Sequence, residues 1–137
     1  MAEGLMRKKL YELDKYDIDV GSAGIIAING NTPTDEAISV MKDADVDVST
    51  FRSRRLTREL IKGSDLILVM EPMHKEAVLK LVPEAGSKTF LLKEYGNPQK
   101  VLAKGYSVRD PIGKPIGDYM ACRGEIDVEL DRVAKLL

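Results

Sequence analysis

The chain has 137 residues, 44% hydrophobic and 31% charged, with a formal net charge of −1, one cysteine and one histidine. That composition excludes a disordered chain and fits one domain with a single hydrophobic core over residues 1–137. It gives no electrostatic case for nucleic acid or an anionic membrane, and no internal disulfide or zinc site can be assembled from Cys122 and His74.

The chain opens "MAEGLMRKKLYEL". Met1, Leu5, Met6, Leu10 and Leu13 recur at helical spacing, which predicts an amphipathic helix from the first residue. "YDIDVGSAGI" follows, with Ile18 and Val20 in a short strand that runs into small residues. After the polar loop "AINGNTPTDE", the run Thr32-Pro33-Thr34-Asp35 reads as a helix start, with a hydroxyl cap, a proline at the first helical position and a first-turn carboxylate. Ala37, Ile38, Met41 and Ala44 would form its apolar face. The basic run "FRSRRLTREL" reads as a local solvated surface, "DVSTFRSRR" as a linking loop, and Thr57 and Gly63 bracket a short helix.

"DLILVM", Asp65 to Met70, is a near-continuous apolar run of the kind a parallel strand covered on both faces requires. Pro72 starts the next helix, whose face is Met73, Ala77, Val78 and Leu81 and which stops near Pro83. Lys88 to Leu92 is the last strand. A long Gly- and Pro-rich loop, "KEYGNPQKVLAKGYSVRDPIGKPIGD", precedes a final helix from about Asp118, with Tyr119, Cys122, Ile126, Leu130, Val133 and Leu137 on one stripe. Strands alternating with helices predict an α/β protein with a parallel sheet. The first helix has no preceding strand, so the architecture looks one strand short at its N-terminal end. No apolar stretch reaches membrane-spanning length, and the charged N-terminus lacks the apolar segment of a signal peptide. A lone cysteine suits the cytoplasm.

The most specific local feature is "VRDPIG". Proline holds the preceding Asp110 in extended backbone, so its carboxyl group is either displayed as a general acid or simply part of an Asp-Pro turn. Four stretches in order, "MAEGLMRKKL", "VGSAGI", "SDLILVMEPMHKE" and "LLKEYG...VRDPIG", resemble the low-molecular-weight protein tyrosine phosphatase family. Its bacterial branch, which includes protein-arginine phosphatases, is most similar. The resemblance implies a doubly wound parallel sheet with helices on both faces, lacking here its first, central strand. It implies hydrolysis of phosphorylated protein side chains through a cysteinyl-phosphate, with no metal or organic cofactor.

In that family "MAEG" follows the phosphate-binding loop, a Cys-x5-Arg-Ser/Thr-Pro motif whose cysteine attacks phosphorus and whose arginine grips the phosphoryl oxygens. These 137 residues contain no such motif. The expectation is therefore an N-terminally truncated, inactive chain. Its two unpaired sheet edges would invite strand exchange or oligomer formation. The resemblance makes Asp110 the general acid and then the base. It makes Ser22 a support of the phosphate loop, against the alternative of a small residue needed for close packing. It places Ile26 to Gly30, with Ile28 and Asn29 among them, in the wall of the cleft. Ile112 follows "DP" where many tyrosine-directed members carry an aromatic, and Phe51 stands where many carry a histidine.

Cys122 reads as a buried core thiol, since no arginine stands six residues after it. His74 reads as a surface helix residue. "AINGN" lacks the GK[ST] ending of a P-loop. Two other readings remain: a receiver-like signalling module, which would need an aspartate at a strand exit where Met70-Glu71 stands, and a non-catalytic domain that binds phospho-ligands.

Overall fold

The computed structural model describes residues 1–97 and 105–137. The middle of the predicted long loop, residues 98–104, lies outside the described residues. The elements, in order, are α1 (Ala2–Glu12), α2 (Asp35–Lys42), α3 (Arg58–Gly63), β1 (Ile67–Val69), α4 (Pro72–Leu81), a 3-10 helix (Pro83–Lys88), β2 (Thr89–Leu91) and α5 (Ile116–Leu136).

β1 and β2 pair in parallel, with Ile67 opposite Thr89, Leu68 opposite Phe90 and Val69 opposite Leu91. α4 and the 3-10 helix make the crossover between them, which a parallel pair requires. Successive side chains of a strand point to opposite faces, and here each face has its own core. Ile67, Val69 and Leu91 lie with Ile61 of α3, Val78 of α4, Val82 and Ala85. Leu68, Met70 and Leu92 lie against the larger cluster of Leu5, Met6 and Leu10 from α1, Val40 and Met41 from α2, and Cys122, Ile126, Leu130 and Val133 from α5. Helices thus cover both faces of a small parallel sheet, the α/β class that the alternating elements predict.

The helix starts follow from their caps. The Thr57 hydroxyl accepts a hydrogen bond from Leu60 N–H at 3.3 Å, opening α3. α2 begins two residues later than the Thr-Pro run implies, because Thr34 rather than Thr32 accepts from a first-turn amide, that of Ala37, at 3.2 Å. Pro72 occupies the first turn of α4, where its missing N–H is no loss. α1 meets α2 and the following loop closely at Gly4, where a Cβ would lie 2.9 Å from Val46 Cγ1 and 3.1 Å from Val48 Cγ1. Lys9 ties α1 to α5 through Asp127 at 2.7 Å and Asp131 at 2.5 Å. Burial opposes its charge, but the two hydrogen-bonded carboxylates outweigh that and raise its pKa.

Three expectations need correction. Ile18 and Val20 pack against the larger core, yet residues 18–20 form no strand. A strand exists only with a neighbour to take its backbone groups; here the Val20 carbonyl accepts instead from the Arg7 guanidinium at 2.5 Å. Among the described residues the sheet has two strands, and the one further parallel bridge joins Gly24 to Arg55. Met73 is 55% exposed and Leu13 40%, so neither belongs to the apolar face assigned to it. The 3-10 helix over Pro83–Lys88 stands where the sequence reading has only a helix stop. Among the described residues no helix is long and apolar enough to cross a membrane.

Candidate active site

Asp110 sits on the segment that returns from β2 to α5. Val108, itself buried, donates its N–H to the Met70 carbonyl at 2.9 Å, tying this segment to the end of β1. Lys93, just past β2, donates to the carbonyls of Gly105 and Ser107, both at 3.1 Å, and pairs with Glu125 of α5. The carboxyl of Asp110 is then fixed locally. Its Oδ1 accepts the Ile112 N–H at 3.0 Å, the side-chain-to-backbone turn that Asp-Pro sequences favour. Lys114 N–H closes the next turn on the Pro111 carbonyl at 2.9 Å. Turn and displayed carboxylate are therefore one arrangement, and Asp110 is exposed.

Cys122 lies one layer beneath. Its thiol reaches the Arg109 carbonyl at 3.6 Å. Burial pushes the thiol pKa up; the nearby carboxylates of Glu125 and Asp110 add to this, and the Met1 amine offsets part of it. A thiol so placed holds its proton, the opposite of an activated nucleophile. Partial burial pushes the pKa of the Met1 amine down, with Cys122 and Glu3 opposing the shift. Among the described residues no side chain caps α1.

Ser22 joins the same end of α1. Its hydroxyl donates to Glu3 Oε2 at 2.5 Å, and Glu3 Oε1 accepts from Arg7 at 2.9 Å. Beyond it, residues 26–30 form an exposed loop sewn to residues 53–55. Ser53 Oγ donates to the Ile28 carbonyl at 2.5 Å, Gly30 N–H to the Ser53 carbonyl at 2.8 Å, and the Arg55 N–H to Asn29 Oδ1 at 2.7 Å. Ile26 is 84% exposed, Ile28 71% and Ile112 67%. Aliphatic side chains this open contribute little to the core and remain available as surface.

The Arg109 carbonyl ties Cys122 to the segment bearing Asp110 and Ile112, and Ser22 is linked through Glu3 to the first turn of α1. Asn29 accepts from the Arg55 backbone and so joins its loop to residues 53–55. His74 accepts the Glu71 N–H on Nδ1 at 3.2 Å, so it serves the start of α4. Phe51 packs against the larger core. At the exit of β1, Met70 and Glu71 are occupied by Val108 and His74, leaving no aspartate for a receiver-like site. Sequence reasoning missed Glu3 and Lys93; both act through partners distant in the chain, a signal no local pattern carries. A recess of about 300 Å³ between α1 and α5, lined by Lys8, Lys9, Arg123 and Asp127 among others, contains none of these candidate residues.

The family model for low molecular weight phosphotyrosine protein phosphatase matches residues 1–137. A protein-arginine-phosphatase of Geobacillus stearothermophilus is 33% identical over 120 residues, covering 88% of this chain and 77% of that protein. The low molecular weight protein tyrosine phosphatase of T. tengcongensis superposes with a TM-score of 0.88 at 34% identity, covering 99% of this chain and 88% of that one. A YwlE arginine phosphatase mutant with a phosphorylated active-site serine also superposes at 0.88, with 30% identity, 99% of this chain and 85% of that one. The chain belongs to the low molecular weight phosphotyrosine protein phosphatase family.

Proposed function

We propose that these 137 residues carry the general-acid half of the family's hydrolysis of phosphorylated protein side chains and, alone, have no nucleophile. The observation that carries the reading is the presentation of Asp110. Its Oδ1 is held by the Ile112 N–H, which leaves Oδ2 to carry a proton to the leaving oxygen or nitrogen. Once a phosphoenzyme exists, the same carboxylate takes a proton from the attacking water. Ser22 steadies the start of α1 through Glu3, and Ile26, Ile28, Asn29 and Ile112 form the cleft mouth around the phosphorylated side chain. The chemistry needs no metal or organic cofactor, because a cysteinyl-phosphate shuttles the phosphoryl group and loop amides neutralise its charge. The phosphorylated serine in the YwlE relative supports a covalent route in the family.

Cys122, the sole thiol, is packed in the core with its pKa raised and has no arginine six residues on. On this reading the chain is a single phosphatase-like domain that acts in the cytoplasm, needs no nucleic acid or membrane, and turns nothing over unaided. Its open sheet edges favour strand exchange.

Incubation with an aryl phosphate followed by acid quench and intact mass measurement should show no added phosphoryl group. A phosphoryl group on Cys122 would overturn the reading. Placing a family strand and Cys-x5-Arg loop ahead of Met1 should confer turnover, and Asp110→Asn should then lower kcat roughly 10²- to 10⁴-fold. Turnover insensitive to Asp110 would remove it from the acid role.

A further inference from the structure

The charge of this chain is unevenly placed. Four of its 21 basic residues, Arg52, Arg54, Arg55 and Arg58, fall within seven positions; the remaining 17 stand against 22 acidic residues, a formal −5 for the rest of the molecule. No carboxylate occurs from Val48 to Arg58, and none occurs from Val20 to Pro33, the stretch containing the loop hydrogen-bonded to residues 53–55. All four arginines are exposed. None forms an ion pair among the described residues. Elsewhere the chain does pair its cations, as Lys9, Lys93 and Arg132 do.

Two of the four guanidiniums are held in place by neutral groups. Arg54 donates from Nε to the Ser22 carbonyl at 2.8 Å and lies over Gly21, where a Cβ would stand 2.4 Å from its terminal nitrogen. Arg52 donates to the carbonyls of Ser49 at 2.9 Å and Phe51 at 2.7 Å. Their charge stays unneutralised while their rotamers are set, which lowers the ordering cost of binding an anion. Arg55 and Arg58 are exposed and have no such tethers among the described residues. The strip is stitched to the loop bearing Ile26 and Ile28, so a ligand along the arginines would lie beside that exposed aliphatic pair.

We propose that Arg52, Arg54, Arg55 and Arg58 form a docking strip for an acidic segment of a protein substrate, contacting residues that flank the phosphorylated side chain. The inference rests on the reading of the neighbouring loop as cleft wall, and it adds a demand on the substrate that Asp110 cannot make. Complementary charge at such a rim acts mainly on encounter rate and selectivity, and it is screened by salt.

The test uses the whole chain and three fluorescent peptides of equal length: a Glu/Asp-rich one, its Gln/Asn counterpart, and the acidic one carrying a phosphorylated tyrosine. Fluorescence anisotropy should show the acidic peptide binding without any phosphate, with affinity falling as salt rises from about 50 to 300 mM. The triple charge reversal Arg52→Glu, Arg55→Glu, Arg58→Glu should weaken it about tenfold or more at low salt. Reversal at Lys42, Lys80 and Lys135, which changes net charge equally, should weaken it less than about threefold. The single variants R55E and R58E, whose guanidiniums have no partner among the described residues, guard against misfolding and should each show part of the loss.

Equal effects of the two triple variants, equal binding of the neutral peptide, or no binding would overturn the proposal. So would tighter binding of a single-stranded oligonucleotide than of the acidic peptide. Phosphate dependence of the third peptide reports on the active-site reading instead, so either idea can fail alone.

Discussion

A thiol buried against a backbone carbonyl, with two carboxylates nearby, resists ionisation, and the consequences of that for Cys122 are measurable. Its pKa is raised, so between the ordinary thiol pKa and the raised one the folded chain binds more protons than the unfolded one. Stability from this group is complete below the unfolded pKa and is lost as pH climbs through the folded value. Urea midpoints should therefore fall above roughly pH 8.5, and Cys122→Ala should show a smaller alkaline loss than the parent chain. At pH 8, a disulfide reagent should label Cys122 at least about tenfold more slowly in buffer than in urea. Equal rates would mean that the thiol is exposed and activated. Asp110 differs in kind: its carboxyl is exposed and fixed by one amide, the arrangement "VRDPIG" makes legible because proline restricts both the aspartate and the turn. The Ser22–Glu3 hydrogen bond was not legible, since nothing in either neighbourhood marks residues 19 positions apart as partners.

Elements are legible to the extent that their causes are local. Helices carry their own period and caps, so α1, α3, α4 and α5 could be placed from sequence with small errors at the ends. α2 started two residues late because two threonines competed for the cap and only tertiary placement selects between them. Thr34→Ala should cost about 1 kcal/mol in urea unfolding, whereas Thr32→Ala should cost close to nothing. Strands depend on a neighbour. Residues 18–20 carry the apolar content a strand needs, and Ile18 and Val20 do pack on the core, but the ladder is not there to join. The 3-10 helix escaped because "PEAGSK" has no period to show. The clamp between α1 and α5 is likewise tertiary. With the Lys9 side chain mostly covered but both carboxylates about half exposed to solvent, Lys9→Met should destabilise the chain by about 0.5–1 kcal/mol, and Asp131→Asn alone by less, since Asp127 remains. Equal stability of Lys9→Met and the parent would show the clamp to be ornamental.

At the scale of the molecule, one small parallel sheet separates two cores of unequal size, and the larger one holds the proposed site together. Met41 has no exposed surface and lies in that core between α1 and α5; Met41→Ala should cost about 2–5 kcal/mol and loosen the face under Asp110. Overall charge does not foretell function here, because a net −1 hides a cationic strip on an acidic body. The family and the architecture were readable from four motifs in order, while the sheet's extent was not, being a property of pairing. The central claim is that these residues hold an acid without a nucleophile. Steady-state hydrolysis of an aryl phosphate by the 137-residue chain, with Asp110→Asn alongside, tests it most directly. The account predicts that neither protein exceeds the buffer rate, whereas turnover by the parent that Asp110→Asn abolishes would contradict it and assign the attack to a residue within these 137.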